Sequence, residues 1–212
     1  MPAIRPTPRI LDGQFIRLEP MTDDHLIELH QAIGHPEVFA AGYGGGPLGY
    51  RATVDEFIAW ARGNYPWATG LPFAIRLRGG GHDGTLVGTS TLGDFDLARE
   101  HAHIGWTAYD PRVWGTQVNA EAKLLLLGLA FDSGFGRVKI QTDVLNERSR
   151  AAIAGIGATF EGFVRRDLPR ADGSWRDTAL FSIIVDEWPD VRAGLEQRLV
   201  RWGGRPVTFR NR

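Results

Sequence analysis

Residues 103 to 142 switch between two periodicities, and that switch restricts the fold more than any other stretch. His103-Ile104-Gly105-Trp106-Thr107-Ala108 is a short apolar-rich run closed by Asp110-Pro111, which reads as a strand. Trp114-Gly115-Thr116-Gln117-Val118-Asn119 makes a tight turn, and Ala120-Glu121-Ala122-Lys123-Leu124-Leu125-Leu126-Leu127 opens a helix that Gly134 can stop. Val138, Ile140 and Thr142 then alternate as a second strand. A helix that carries the chain between two strands of one sheet makes those strands parallel. The turn lies at a helix start, where unpaired N–H groups and the positive end of the helix dipole suit a phosphate.

The remaining segments read in order around this unit. The first ten residues, with three prolines, read as a loose leader, and Phe15 to Glu19 alternates as a strand ended by Pro20. Thr22 caps a helix with Asp23 and Asp24 in its first turn, and Leu26, Leu29 and Ile33 share its face before Gly34 and Pro36 stop it. Thr53 and Glu56 form a capping-box pattern for a second helix, with Val54, Phe57, Ile58 and Ala61 on one face and Gly63 at its end. Phe73 to Leu77, Leu86 to Leu92 and His101 to Ala108 predict three antiparallel strands, the first two joined by the Gly79 to Gly84 turn. After the parallel strand, Asn146 caps a short helix through Ile156, and Phe160 to Arg166 pairs with Thr178 to Val185 around Asp172-Gly173. A last helix runs from Pro189 to Trp202. The order predicts an α+β layered sheet in one domain over 1–212, with its core at about 13–188 and a helix and basic tail at 189–212.

Composition removes several alternatives. A 212-residue chain fits one domain burying about 70% of its unfolded surface. The chain has no cysteine, hence no disulfide, thiolate nucleophile or Cys-based zinc site, and the cytoplasm is the expected location. No apolar run approaches the roughly 20 residues of a membrane span. The net charge of −1 gives no bulk attraction to nucleic acid, and no spacing suggests a metal. Two local features remain. The tail carries Arg198, Arg201, Arg205, Arg210 and Arg212 without an acid, and reads as a solvated segment or, alternatively, as a contact for a phosphate or an acidic partner. Gly44 to Gly49 satisfies G-x-G-x-x-G, but no strand precedes it and Pro47 constrains it, so it reads as a surface loop or a substrate-side lid rather than a dinucleotide fingerprint.

At the turn the chain resembles the GNAT superfamily of acyl-CoA N-acetyltransferases, in particular the subgroup similar to ribosomal-protein N-terminal acetyltransferases. In that family a Gln/Arg-x-x-Gly-x-Gly/Ala turn holds the CoA pyrophosphate. Aligned on Glu121-Ala122, those positions here are Trp114, Gln117 and Asn119, and only Gly115 and the Glu-Ala step follow the pattern. Asn146 and Ser149 match the Asn-x-x-Ser step after the second strand, and Gly155-Ile156-Gly157-Ala158 with Phe160-Glu161-Gly162 matches the turn into the last hairpin. The resemblance implies a GNAT-like fold: a mixed, mostly antiparallel central sheet flanked by helices, with two strands splayed at a CoA cleft. It implies acetyl-CoA as co-substrate, held by Trp106 and Thr107, by the turn residues Trp114, Gly115, Thr116, Gln117, Val118, Asn119 and Ala120, and by Asn146. It also leaves a gap, because the family's general-acid Tyr, seven residues after the Asn, is Ile153 here.

Acetyl transfer from a thioester to an amine needs a held donor, a neutral amine and a proton for the departing thiolate. Ser149 is the candidate for the thiolate end, although helix capping explains it equally. For the base, His101 and His103 share a strand face, His103 is the candidate, and Asp94 and Glu100 are alternatives. A site without a strong base favours α-amines, roughly one-tenth neutral at pH 7, over lysine, neutral in well under about 1% of molecules. The expected partner is a small-molecule or peptide amine, with no nucleic acid and no membrane. Protein N-terminus, antibiotic, polyamine and small metabolite all stay open. The Pro189-led helix suggests a homodimer. The rival reading is a non-catalytic acyl-CoA-binding regulatory domain of the same fold.

Overall fold

The computed structural model describes residues 2–40 and 42–210; Arg212 of the tail lies outside them. Strands β1 (Leu11–Asp12), β2 (Ile16–Pro20), β3 (Leu71–Leu77), β4 (Leu86–Asp96), β5 (His101–Tyr109), β6 (Arg137–Asp143), β7 (Thr159–Pro169) and β8 (Trp175–Ile184) form one sheet in the order β1-β2-β3-β4-β5-β6-β8-β7. All neighbours are antiparallel except β5 and β6. That pair is parallel because the helix α4 (Val118–Asp132) makes the crossover. The other helices are α1 (Leu26–Ile33), α2 (Pro36–Ala40), α3 (Val54–Asn64), α5 (Glu147–Gly155) and α6 (Trp188–Val200).

Alternation along the strands builds two cores. Phe73 and Ile75 face the α4–α6 side, while Ala74 between them joins Leu29, Ile33 and Phe57 on the α1–α3 side. α4 carries apolar residues around most of its circumference because it is covered by the sheet and by α6, where the Phe131 and Trp188 rings stack at 5.2 Å. The apolar face of α6 that prompted the homodimer expectation is thus taken up by its own chain. One carboxylate ties the layers. Glu121, 3% exposed, accepts the backbone N–H groups of Gln14 at 2.6 Å and of Phe15 and Ile16 at 2.8 Å. Burial pushes its carboxyl up while these three donors pull it down.

The parallel pair holds only at its start. Registered partners run from His101 opposite Arg137 to Ile104 opposite Ile140 and stop. Beyond that point β5 stays with β4 and β6 stays with β8. The divergence coincides with a bulge in β5, where Thr91 faces Gly105, Thr89 faces Ala108, and Trp106 takes φ 48°.

Some details differ from the sequence reading. α2 and β1 carry no predicted signal, being shorter than a recognisable period. Gly63 lies inside α3, which ends at Tyr65; the Thr53–Glu56 capping box forms as expected. The leader is docked: Ala3 is buried and the Ile4 N–H donates to Ser133 O at 2.9 Å. The described part of the tail is docked as well, correcting the solvated segment. Val207 is 2% exposed, and Phe209 lies between the His82 ring, stacked at 4.0 Å, and the Arg112 guanidinium at 4.0 Å. Isolated apolar residues in irregular segments have no period to reveal them, so these contacts needed the tertiary fold.

Candidate active site

The divergence of β5 and β6 opens a cavity of about 730 Å³. Its walls come from both strands, the turn before α4, the start of α5 and the glycine loop at Gly42 to Gly45. The loop touches the β7–β8 hairpin, since the Ala171 N–H donates to Gly45 O at 3.0 Å.

At one end stand His103 and Asp94. The His103 ring, 5% exposed, places Nδ1 2.8 Å from Asp94 Oδ2, and Lys139 Nζ is 3.6 Å from the same oxygen. Asp94 takes φ 49° where the β4–β5 register shifts. Nε2 has no hydrogen-bond partner among the described residues, and a Cβ on Gly105 would come within 2.8 Å of it, so that wall must be glycine. Burial lowers the His103 pKa, and the Asp94 hydrogen bond pulls it back up. The same hydrogen bond holds Asp94 below the usual carboxylate range. The ring is therefore neutral near pH 7, oriented through Nδ1 and left with an unshared pair at Nε2, which is the arrangement of a general base.

At the other end is the turn. Gly115 takes φ 70°, and the fully buried Asp110 side chain holds the approach by accepting from the Arg112 N–H at 2.8 Å and pairing with its guanidinium at 2.7 Å. Thr116 Oγ1 donates to Val113 O at 2.6 Å, and Tyr109 Oη donates to Asn119 Oδ1 at 3.2 Å. Trp114 is roofed by Arg148, whose guanidinium lies 3.4 Å from the ring centroid. The tail backs the turn from outside: Gln117 Nε2 donates to Arg205 O at 3.1 Å, and Arg210 Nη2 to Gly115 O at 2.9 Å.

His103, Trp106, Thr107, Trp114, Gly115, Thr116, Asn119, Asn146 and Ser149 all line the one cavity. Gln117, Val118 and Ala120 lie behind it, at most 2% exposed, and only their main chain belongs to the turn. Glu100 stands away at the β4–β5 turn, where its carbonyl accepts the N–H groups of Gly136 and Arg137. Two lining residues carry charge that the sequence reading passed over. They are Lys123 and Arg148. For Lys123 the signal was present, as a single cation inside the apolar run from Ala120 to Leu127. Among the described residues no group of three or more His, Asp or Glu side chains is placed to hold a metal ion.

The two explanations of Ser149 separate in the structure. Asn146 Oδ1 caps α5 by accepting the Ser149 backbone N–H at 2.9 Å, so the serine hydroxyl has no part in that cap. Ser149→Ala should leave stability within about 0.5 kcal/mol, whereas Asn146→Ala should cost about 1 kcal/mol. If the hydroxyl hydrogen-bonds the developing thiolate, Ser149→Ala lowers turnover by roughly 10 to 1,000-fold at unchanged CoA affinity. Denaturant unfolding and single-turnover acetylation on one sample decide this, and normal chemistry would remove Ser149 from the mechanism.

Comparison with known proteins meets the same geometry. A family model described as "Acetyltransferase (GNAT) domain" matches residues 16–159. No curated protein sequence matches the chain. Among solved structures, a GCN5-related N-acetyltransferase from Brucella melitensis is 26% identical, covering 98% of this chain and 95% of its own, with a TM-score of 0.83. An assigned acetyltransferase from T. thermophilus is 30% identical over 92% of this chain and 100% of its own, with a TM-score of 0.81. Mycobacterium smegmatis RimJ, solved in complex with CoA-disulfide, shares the fold at 23% identity, 91% coverage of both chains and a TM-score of 0.68.

Proposed function

The chain belongs to the GNAT acetyltransferase family, and from that premise we propose that it transfers the acetyl group of acetyl-CoA to an α-amine, of a peptide N-terminus or a small molecule, by direct attack in a ternary complex. The observation that carries the reading is the splay of β5 from β6 into a cavity with a helix-start turn at one end and a carboxylate-oriented imidazole at the other. Unpaired main-chain N–H groups at the start of α4 suit a pyrophosphate without needing the family's side chains. The backbone of β5 beyond Ile104, released from β6, has donors and acceptors to offer pantetheine. RimJ, which shares this fold, was solved with CoA-disulfide, in keeping with such a donor.

The chemistry then follows from the two ends. His103 Nε2 accepts a proton from the attacking amine as its nitrogen bonds to the acyl carbon, and Asp94 stabilises the imidazolium that forms. Ser149 hydrogen-bonds the sulfur as the C–S bond breaks. An imidazole of lowered pKa is a modest base, which suits an acceptor near pKa 7.7 to 8.0 better than lysine near 10.4.

Acetyl-CoA consumption over a panel of serine- and alanine-initiated peptides, amino acids, polyamines and aminoglycosides tests the activity, and α-amines should be acetylated fastest. Calorimetry tests the donor site. Gly115→Val forces a β-branched residue to φ 70° and brings its Cβ to 3.1 Å from the Arg210 guanidinium, so it distorts the turn while leaving the core untouched. CoA affinity should fall by at least about tenfold, equivalent to 1.4 kcal/mol. Unchanged affinity in a folded variant would show that the turn is not the site.

A further inference from the structure

One buried cation has no part in the steps above. Lys123 follows Glu121-Ala122 in α4, is 4% exposed, and lines the cavity. Its Nζ donates to Thr107 Oγ1 at 3.0 Å and approaches Ser90 Oγ at 3.5 Å, and the two hydroxyls are 2.7 Å apart. These partners are neutral, and no carboxylate pairs with the ammonium among the described residues. The third N–H is left for the cavity. Burial alone draws its pKa from 10.5 down to about 7, so protonated and neutral forms coexist near neutral pH.

Lys123 approaches the cavity from the side opposite His103. His103 packs on Trp106, whose ring joins the α1–α3 cluster, while Thr107 reaches down to α4. The bulge at Trp106 lets one strand present an imidazole to one layer and a hydroxyl-bound ammonium to the other.

Acyl transfer leaves the sulfur in need of a proton. Ile153 cannot give one, and a serine hydroxyl holds its proton near neutral pH while still donating a hydrogen bond. We propose that Lys123 is the general acid of the transfer, protonating the departing CoA thiolate. The inference rests on the acetyl-transfer reading. As the N–C bond forms, His103 takes the amine proton; as the C–S bond breaks, its electron pair stays on sulfur and the Lys123 proton moves there, giving CoA thiol and a neutral lysine. Water then reprotonates Lys123 and takes the proton from His103.

The other titratable or charged groups around the cavity are His103 and Tyr109 on β5, Asp94 on β4 with Lys139 of β6 beside it, Asp143 of β6 with its partner Arg170, Arg148 on α5, Arg176 on β8 and Arg198 on α6. Burial raises Tyr109, and His103 titrates below its ordinary value, which leaves Lys123 as the group to set the alkaline limb.

The test is the pH profile of kcat with acetyl-CoA and the fastest amine of the panel. The parent should lose turnover as pH rises above about 7 to 8, where the lysine gives up its proton. Lys123→Met should lower kcat by about 100-fold or more and abolish that limb, with CoA affinity within roughly threefold. Lys123→Arg keeps a charge that does not dissociate and should not restore turnover. Thr107→Val removes the hydroxyl that holds the ammonium and should move the limb to lower pH. Folding is checked separately. A lysine whose folded pKa is depressed makes the native state bind fewer protons than the unfolded chain between about 7 and 10.5, so its penalty is full below 7 and vanishes above 10.5. Lys123→Met should therefore raise Tm, more at pH 6 than at pH 10. A Lys123→Met variant with parental kcat and limb overturns the proposal, as does full rescue by arginine. So does acetylation of Lys123 itself in intact mass spectra, since a consumed amine cannot recycle a proton. Absence of turnover in the parent overturns the function and the lysine's role together.

Discussion

Replacing His103 by Gln should lower kcat/KM for amine acetylation by roughly 100 to 10,000-fold, the range for loss of a positioned general base. The imidazole is set for that role by three local facts: Asp94 fixes the tautomer from Nδ1, Gly105 leaves room beside Nε2, and burial keeps the ring neutral. The pH dependence follows with a definite sign. Because the folded pKa lies below 6.5, activity should be full at neutral pH and should fall only as the medium becomes acid enough to protonate Nε2. Asp94→Asn removes part of the opposing pull, so the acid limb should move further down while the plateau rate drops through loss of orientation. CoA binding should persist in both variants, as neither touches the turn. A His103→Gln enzyme with the parent's kcat/KM and the same acid limb would leave the reaction to proceed from amine already neutral in solution, and His103 would be a packing residue.

Glu121→Leu should destabilise the protein more than any substitution in the cavity. Three buried N–H groups, those of Gln14, Phe15 and Ile16, end on this carboxylate. Each donor left unpaired costs about 1–3 kcal/mol. Even with partial relaxation, a loss on the order of 4 kcal/mol is expected, a large part of the 5–15 kcal/mol typical of a domain. Glu121→Gln keeps an acceptor oxygen and should lose roughly half as much. The site admits nothing larger than glycine opposite, since a Cβ at Gly13 would lie 2.4 Å from the Glu121 carboxyl carbon. Urea unfolding followed by circular dichroism reads the difference, and a Leu variant within about 1 kcal/mol of the parent would mean that water replaces the carboxylate. The Glu of the Glu-Ala step thus anchors the first long strand to the central helix and lies apart from the CoA cleft.

The sequence by itself determined the architecture, because the architecture follows from periodicity. A period of two in Phe73, Ile75 and Leu77, a capping box at Thr53 and Glu56, and a helix between the two strands at His103 and Val138 suffice for the sheet, the helical layers and the one parallel pair. It also marked the turn at Gly115, where a positive φ has a local signature in glycine. What only the tertiary structure decided is which groups meet. His103 and Asp94 lie nine positions apart on adjacent strands, and it is the register shift of β4 against β5 that makes Asp94, rather than Glu100, the partner of the imidazole. Lys123 and Thr107 are joined across a helix and a bulged strand, and the bulge that turns Thr107 toward α4 leaves no mark in the alternation of residues. The docked tail needed Arg205 and Arg210 to find Gln117 and Gly115 about ninety residues back. Periodicity is set by nearest-neighbour geometry along the chain, so it can be read from one dimension. Hydrogen bonds between distant groups, and the depression of the Lys123 pKa by burial, exist only once the layers have closed.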